Sequence, residues 1–163
     1  MKTTLALAAL FGLTLAPSAY AQVDCGEIRR VMAEAENDFD DITGDEVGDD
    51  VYKSRYLIGG AKDCYVDLSF GASYFCLFLH DHPDTAFSAY RYRLGEVRRC
   101  LSNWKQTAIP EQRPLSGDGF RDLEGVSFEG SGDYEFTEWT VLVEQHIENG
   151  NVHYHVRIAL EFY

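Results

Sequence analysis

The sequence predicts an α+β domain in which two helices pack on a mainly antiparallel sheet of about five to six strands, in the order α-β-β-β-α-(β)-β-β. Three observations lead to this prediction. Apolar residues recur at helical intervals in two segments, 24 to 42 and 83 to 104. Short stretches of aromatic and β-branched residues separated by glycine follow each segment. Finally, an Asn-Gly step at residues 149 and 150 lies between two alternating stretches, which is a strong hairpin signal.

The first 21 residues have the features of a secretory signal peptide. Lys2 precedes an apolar stretch from residue 5 to 15, and Ala-Tyr-Ala at 19 to 21 is a small-residue cleavage site. This stretch is too short to span a bilayer. We therefore expect a mature chain of residues 22 to 163, folded as a single domain in the periplasm or secreted, with no integral membrane segment.

The first helix begins with a capping box formed by Asp24 and Glu27 and ends before Gly44. Its apolar stripe consists of Ile28, Val31, Met32, Ala35, Phe39 and Ile42. Its outer face and the following loop carry nine acids with no Lys or Arg between them: Glu34, Glu36, Asp38, Asp40, Asp41, Asp45, Glu46, Asp49 and Asp50. The alternating acids and glycine of a calcium loop are missing, so we interpret these residues as a solvated acidic face.

Three strands are predicted next, in "VYKSRYLIGG", "DCYVDLSF" and "YFCLFLH". The second helix begins at His82 with proline in its first turn. Its apolar stripe consists of Phe87, Tyr90, Leu94, Val97, Leu101 and Trp104. Its outer face is basic, and we expect it to lie against the acidic first helix; it carries Arg91, Arg93, Arg98, Arg99 and Lys105. Residues 106 to 119 contain two prolines and two glycines, which predicts an exposed, mobile connection.

Four cysteines occur in a chain expected to reach an oxidising compartment, where thiols normally form disulfides. Four cysteines allow three pairings. The turn "SFGAS" places Cys64 opposite Cys76 on neighbouring strands. Antiparallel packing of the two helices brings Cys25 close to Cys100. We therefore predict the disulfides Cys25–Cys100 and Cys64–Cys76.

After the connection, "FRDLEGVSF" is the optional strand, and residues 134 to 147 and 152 to 162 form the hairpin. One face of this hairpin is expected to be core, with Trp139, Val141, Val143, Ile147, Val152, Tyr154, Val156, Ile158, Leu160 and Phe162. The opposite face is polar, with aromatic residues at its far end. No internal repeat is visible in the sequence.

Three of the five histidines lie near the hairpin turn. A two-residue loop pairs His146 with His153 and Glu144 with His155, all on the polar face. Three imidazoles, with Glu144 orienting a ligand or acting as a base, could bind a tetrahedral zinc ion. The spacing resembles the three-histidine zinc site of carbonic anhydrase, although the resemblance covers only these positions. The alternative is that the histidines decorate a solvated strand face, and on that reading no cofactor is expected.

Common catalytic motifs are missing from the sequence: there is no Gly-x-Ser-x-Gly, no phosphate-binding glycine loop and no His-Glu-x-x-His. The second histidine pair, His80 and His82 around Asp81, fits helix capping better than catalysis. The acidic run lacks an apolar pocket that would separate the proton affinities of two carboxylates. The sequence therefore favours a protein that is not an enzyme.

The order of elements resembles the type III secretion chaperone-like α/β sandwiches and small exported bacterial proteins with four cysteines. The resemblance rests on element order alone, and such a likeness says little about function. The chain has 27 acidic and 14 basic residues and a net charge of −13, so nucleic acid and anionic membrane are disfavoured as partners. A plain alternative is that this charge only keeps an exported protein soluble.

We expect an inhibitor, immunity-type or chaperone-like module that binds a protein partner with a basic surface. Its candidate contact residues are the nine acids, or the exposed sheet face with Phe136, Leu142, Arg157 and Tyr163. Two other hypotheses stay open at this point. One is a metal-binding protein or metal-dependent enzyme that uses the histidine site, and the other is an exported structural protein without a specific ligand.

Overall fold

The computed structural model describes residues 21–69, 71–113, 118–131, 133 and 136–162. Within these ranges, two α-helices pack on one antiparallel sheet of eight strands. The helices are α1 (Cys25–Ala35) and α2 (Pro83–Cys100). The strands are β1 (Thr43–Gly48), β2 (Val51–Ser54), β3 (Asp63–Asp67), β4 (Ser73–His80), β5 (Lys105–Ile109), β6 (Gly119–Glu129), β7 (Thr137–Glu148) and β8 (Asn151–Phe162). None of the described helices is long and apolar enough to cross a membrane.

The strand order is β1-β2-β3-β4-β8-β7-β6-β5, which is symmetric about its centre. Each half of the chain contributes one helix followed by a four-stranded meander. The last strands of the two meanders, β4 and β8, pair with each other from Ser73↔Glu161 to His80↔Tyr154. The fold therefore has a two-fold pseudosymmetry for which the sequence shows no matching repeat.

The predicted number of strands, five to six, was wrong because β1 and β5 were missed. The sequence assigned residues 43 to 48 to an acidic loop and residues 105 to 109 to a helix end and a connection. Both strands lie at the edges of the sheet, and four residues of each are exposed. An edge strand that is exposed to solvent on both faces lacks the alternation of apolar and polar residues by which strands are recognised in a sequence. The optional strand, β6, is 11 residues long.

Both helices end earlier than predicted. The capping box at Asp24 is confirmed, but α1 stops at Ala35 and a short 3₁₀ helix at Asp40–Ile42 follows. Asp38 and Phe39 take positive φ angles of 51° and 60°, which break the α-helical path. The apolar stripe predicted for this segment is nevertheless buried. The second helix has proline at its start as predicted but ends at Cys100, before Trp104.

The hydrophobic core lies between the two helices and one face of the sheet. The core face predicted for the final hairpin is confirmed for its central residues, which are fully buried: Trp139, Val141, Val143, Val156, Ile158 and Leu160. Val152 is 43% exposed, since the tip of the hairpin extends past the core. The register is also as predicted, with a two-residue turn in which Asn149 and Gly150 have φ of 50° and 76°.

Both predicted disulfides are present. Cys25–Cys100 joins the start of α1 to the end of α2, and Cys64–Cys76 joins directly opposed residues of β3 and β4. The described part of the chain has no free cysteine. Disulfides of this kind persist in oxidising compartments such as the periplasm or the extracellular space.

The sequence predicts that the basic face of α2 lies against the acidic α1, but no ion pair of the described residues joins the two helices. The ion pairs of the described residues all involve other elements or lie within α2 itself. Arg93 was wrongly placed on the outer face, since it is 3% exposed and pairs with Glu96 at 3.0 Å. Its guanidinium donates to the carbonyl oxygens of Ala21 and Gly59 at 2.6 and 2.7 Å. The loop between β2 and β3 therefore contacts this side of α2.

Candidate functional site

The acidic segment, residues 34 to 50, forms one margin of the molecule, which we call the acidic edge. It comprises the end of α1, the 3₁₀ helix, the edge strand β1 and the turn to β2. Eight of its nine acids are exposed, and Glu34 is half-buried. Asp45 and Glu46 lie on β1, and Asp49 and Asp50 follow in the turn. No ion pair of the described residues involves any of the nine carboxylates.

The sheet face that points away from the helices, the open face, carries the polar side of the final hairpin. Strand register aligns side chains from β4, β8, β7 and β6 in rows across this face. One row contains Leu77, Arg157, Leu142 and Gly125, and the next contains Leu79, His155, Glu144 and Asp122. Leu142 and Glu144 are only 3% and 5% exposed, so this face is more closely packed than a solvated strand face.

A cavity of about 270 Å³ opens on this face. It is lined by Phe75 and Leu77 from β4, Phe120 from β6, Glu144 from β7 and Arg157 from β8. Four neighbouring strands thus contribute to one site, and their pairing sets the positions of its side chains. Three apolar side chains surround one acid and one base.

Glu144 is the buried charge of this cavity. Burial raises the pKa of its carboxyl group; the positive charge of Arg157 opposes this effect, and Asp122 adds to it. The Oε1 atom of Glu144 lies 3.5 Å from Nε of Arg157. Nε of Arg157 is buried and has no hydrogen-bond partner within the described chain. Since buried polar groups in folded proteins are almost always hydrogen-bonded, this pair is incompletely satisfied.

The histidines are arranged differently from a zinc site. His146 stacks on Phe120, with ring centroids 4.0 Å apart and nearly parallel planes. His155 is 6% exposed, and its ring lies 5.6 Å from that of His146. Burial lowers the pKa of His155, and the neighbouring imidazoles of His146, His153 and His80 lower it further. His153 is exposed.

At the predicted zinc position, β6 places the phenyl ring of Phe120 against the imidazole of His146. Across the ranges that the structure covers, no group of three His, Cys, Asp or Glu side chains could hold a metal ion. The pairing of His146 with His153 and of Glu144 with His155 is nevertheless as predicted. The predicted register is confirmed, whereas the described residues contain no preassembled metal site.

The residues predicted to form a contact surface on the exposed sheet face differ in their exposure. Phe136 is 58% exposed, Arg157 is partly exposed, and Leu142 is buried by its neighbours instead of forming an exposed surface. Tyr163 lies outside the described residues. The sequence reasoning missed Phe75, Leu77 and Phe120 as site residues. The alternation in "YFCLFLH" could have placed the first two on the face opposite Cys76.

Comparisons with protein-family models, with curated proteins and with solved structures found no match. A functional interpretation must therefore rest on the geometry and charge of the chain itself.

Replacing Glu144 with glutamine is expected to raise the melting temperature at neutral pH. Because the pKa of Glu144 is raised in the folded protein, the folded state binds its proton more tightly than the unfolded state. Its ionisation therefore reduces stability as the pH rises from the unfolded value, about 4.3, through the higher folded value. Glutamine lacks this ionisation, so the gain over the wild type grows from about pH 4 towards pH 7.

Thermal unfolding of both proteins from about pH 4 to pH 8 measures this difference. Glu148→Gln is the matched control, since Glu148 is exposed at the end of the same strand. We expect the control to leave the melting temperature unchanged. A wild type more stable than Glu144→Gln at pH 7 would contradict the assignment of Glu144 as a poorly solvated carboxylate.

Proposed function

We propose that the protein is an exported binding module that covers a basic surface of a protein partner with its acidic edge. The observation that supports this function is a run of nine acids with no basic residue between them; eight are exposed, and four lie on the edge strand β1 or in the turn after it. A surface of one sign accelerates association with a partner of the opposite sign and disfavours partners of the same sign. An inhibitor, an immunity protein or a chaperone-like protein would act in this way.

Two features support an exported protein. The pattern of residues 2 to 21, a lysine before an apolar stretch and then Ala-Tyr-Ala, is typical of a secretory leader. Both disulfides require an oxidising compartment to persist. We therefore place the proposed partner in the periplasm or outside the cell.

Exposed ion pairs contribute little individually, about 0.2 to 1 kcal/mol each. The proposed interface would therefore depend on many carboxylates facing lysine and arginine side chains together. Salt would weaken it, because the Debye length falls from about 10 Å at 0.1 M to about 3 Å at 1 M ionic strength. The acids also discourage the edge strand β1 from pairing with β1 of another copy, since like charges would meet.

The test removes four charges from the acidic edge in a variant with Asp45→Asn, Glu46→Gln, Asp49→Asn and Asp50→Asn. Asparagine tolerates the positive φ of 57° at Asp50, so the backbone should be unaffected. The matched control removes four exposed acids elsewhere: Asp81→Asn, Asp118→Asn, Asp133→Asn and Glu148→Gln. Both variants have the same net charge, so they differ only in where the charge was removed.

Immobilised wild-type protein is first used to capture a partner from periplasmic extract at low salt, and the purified partner then serves for kinetics. We expect the edge variant to lower the association rate constant by about tenfold and the control by less than about twofold. Equal rates for the two variants would show that net charge alone matters. No salt-sensitive partner, or a partner without a basic surface, would refute the proposed function.

A further inference from the structure

We propose that the open-face cavity is a binding site for a ligand in which an amide group lies next to an apolar group, such as an apolar residue of a peptide. This site does not use the acidic edge, and it goes beyond the proposed function. Its residues come from β4, β6, β7 and β8, whereas the acidic edge contains β1 at the end of the sheet.

Glu144 and Arg157 form a polar pair on the open face that is incompletely satisfied. Glu144 is 95% buried, and its carboxylate makes no hydrogen bond to another described residue; its one ionic contact is with Nε of Arg157, at 3.5 Å. The N–H of that Nε atom is buried and donates no hydrogen bond. A carboxylate that makes only this ionic contact thus lies beside a buried donor that has no acceptor. A ligand that supplies an acceptor to this Nε atom would remove the unsatisfied donor.

The walls of the cavity beside this polar pair are apolar. Phe75 and Leu77 line one side of the cavity, and Phe120 lines the other. Phe120 is 54% exposed, and neighbouring Leu79 is 62% exposed, so apolar surface continues beyond the cavity. The stacking of Phe120 on His146 holds its ring in place at the rim. A volume of about 270 Å³ is just below the range typical of drug-sized ligands, about 300 to 1,000 Å³, which fits one side chain with its amide.

The polar pair also discriminates between classes of ligand. A simple cation would satisfy Glu144 but leave the N–H of Arg157 without an acceptor. A carboxylate would satisfy Arg157 but be repelled by Glu144 and by nearby Asp122. An amide offers an N–H to Glu144 and a C=O to Arg157, so that both groups are satisfied at once without adding a charge.

The probes for the test are small molecules that differ in one feature each. The amide 3-phenylpropanamide has the phenyl group, the donor and the acceptor. Methyl 3-phenylpropanoate lacks the N–H, and propanamide lacks the phenyl group. Binding to the full mature chain is followed by shifts of backbone amide resonances in two-dimensional NMR. We expect 3-phenylpropanamide to shift the signals of Phe120, Glu144 and Arg157 and to bind about tenfold more tightly than either analogue.

Two variants test the residues themselves. We expect Glu144→Gln and Phe120→Ala each to weaken binding of 3-phenylpropanamide by about fivefold to tenfold. Phe136→Ala is the matched control and should leave binding unchanged. Phe136 is a phenylalanine of similar exposure, 58%, directly before the start of β7, whereas Phe120 pairs with His146 near the end of that strand. Thermal melting of each variant shows whether weaker binding results from loss of folding. Both Phe120 and Phe136 are exposed enough for truncation to be tolerated.

A tripeptide with blocked ends, acetyl-Ala-Phe-Ala-amide, tests whether the amide of the ligand belongs to a peptide chain or to a small molecule. Tighter binding of the tripeptide than of 3-phenylpropanamide would identify an extended chain as the ligand, and equal binding would identify a small amide. The proposal is overturned if no probe shifts the resonances of the cavity, or if the ester binds as tightly as the amide. The variant of the acidic edge should bind these probes normally, so failure here and failure of the proposed function are distinguishable.

Discussion

Replacing Cys25 and Cys100 together with serine is expected to lower the free energy of unfolding by about 4 kcal/mol. The reason is the length of chain that this disulfide closes, since the two cysteines are 75 residues apart. A crosslink across such a long loop removes many conformations from the unfolded chain. The disulfide also ties the start of α1 to the end of α2.

Urea denaturation at pH 7 measures this loss. The oxidised wild-type protein is the reference. The reduced wild-type protein lacks both disulfides and should be less stable than the double variant. A variant within about 1 kcal/mol of the oxidised wild type would contradict the expectation and would mean that the unfolded chain is already compact.

Replacing Arg93 with methionine is expected to lower the free energy of unfolding by about 3 to 5 kcal/mol. Arg93 and Glu96 are each 3% exposed, so the substitution would leave a buried carboxylate without its partner. The guanidinium also donates to the backbone carbonyl group of Gly59, which belongs to the expected mature chain and would lose this hydrogen bond. Methionine keeps most of the side-chain volume, so the loss would come mainly from the missing charge and donors.

Arg91→Met is the control for this prediction, because Arg91 is exposed on the same helix, and its effect should be within about 0.5 kcal/mol. The double variant Arg93→Met with Glu96→Leu should regain part of the stability, since it removes the unpaired charge. Denaturation of the three variants separates these contributions. Equal losses for Arg91→Met and Arg93→Met would show that the buried pair contributes nothing.

Features with a local signal were predictable from the sequence. The Asn-Gly step determines the hairpin register, and through it the pairing of Glu144 with His155. The short connection between β3 and β4 likewise fixes Cys64 opposite Cys76. Arg93 was not predictable in this way, since a helical position identifies a face of the helix but not the loop that will cover it.

The candidate site was predictable only in part. Glu144 and Arg157 were recognised as residues of the polar face, but the cavity also needs Phe120 from β6. The pairing of β6 with β7 contains an irregularity between Asp122 and Glu124, which shifts the register by one residue. Such a bulge adds one residue to β6, so the residues before it and the residues after it face the core in opposite alternation. The pattern of apolar residues in the sequence does not show where this change occurs. The sequence therefore could not place Phe120 beside His146.

The symmetric strand order has a consequence for how the polypeptide reaches its final state as it is synthesised. The central strand β4 lies in the first half of the chain, but its partner β8 is the last of the eight strands to emerge, because it is the last in chain order. Until then the nascent first meander presents the hydrogen-bonding groups of an eight-residue strand to any other chain nearby. The middle of the sheet is thus the place where misassembly between unfinished molecules would begin.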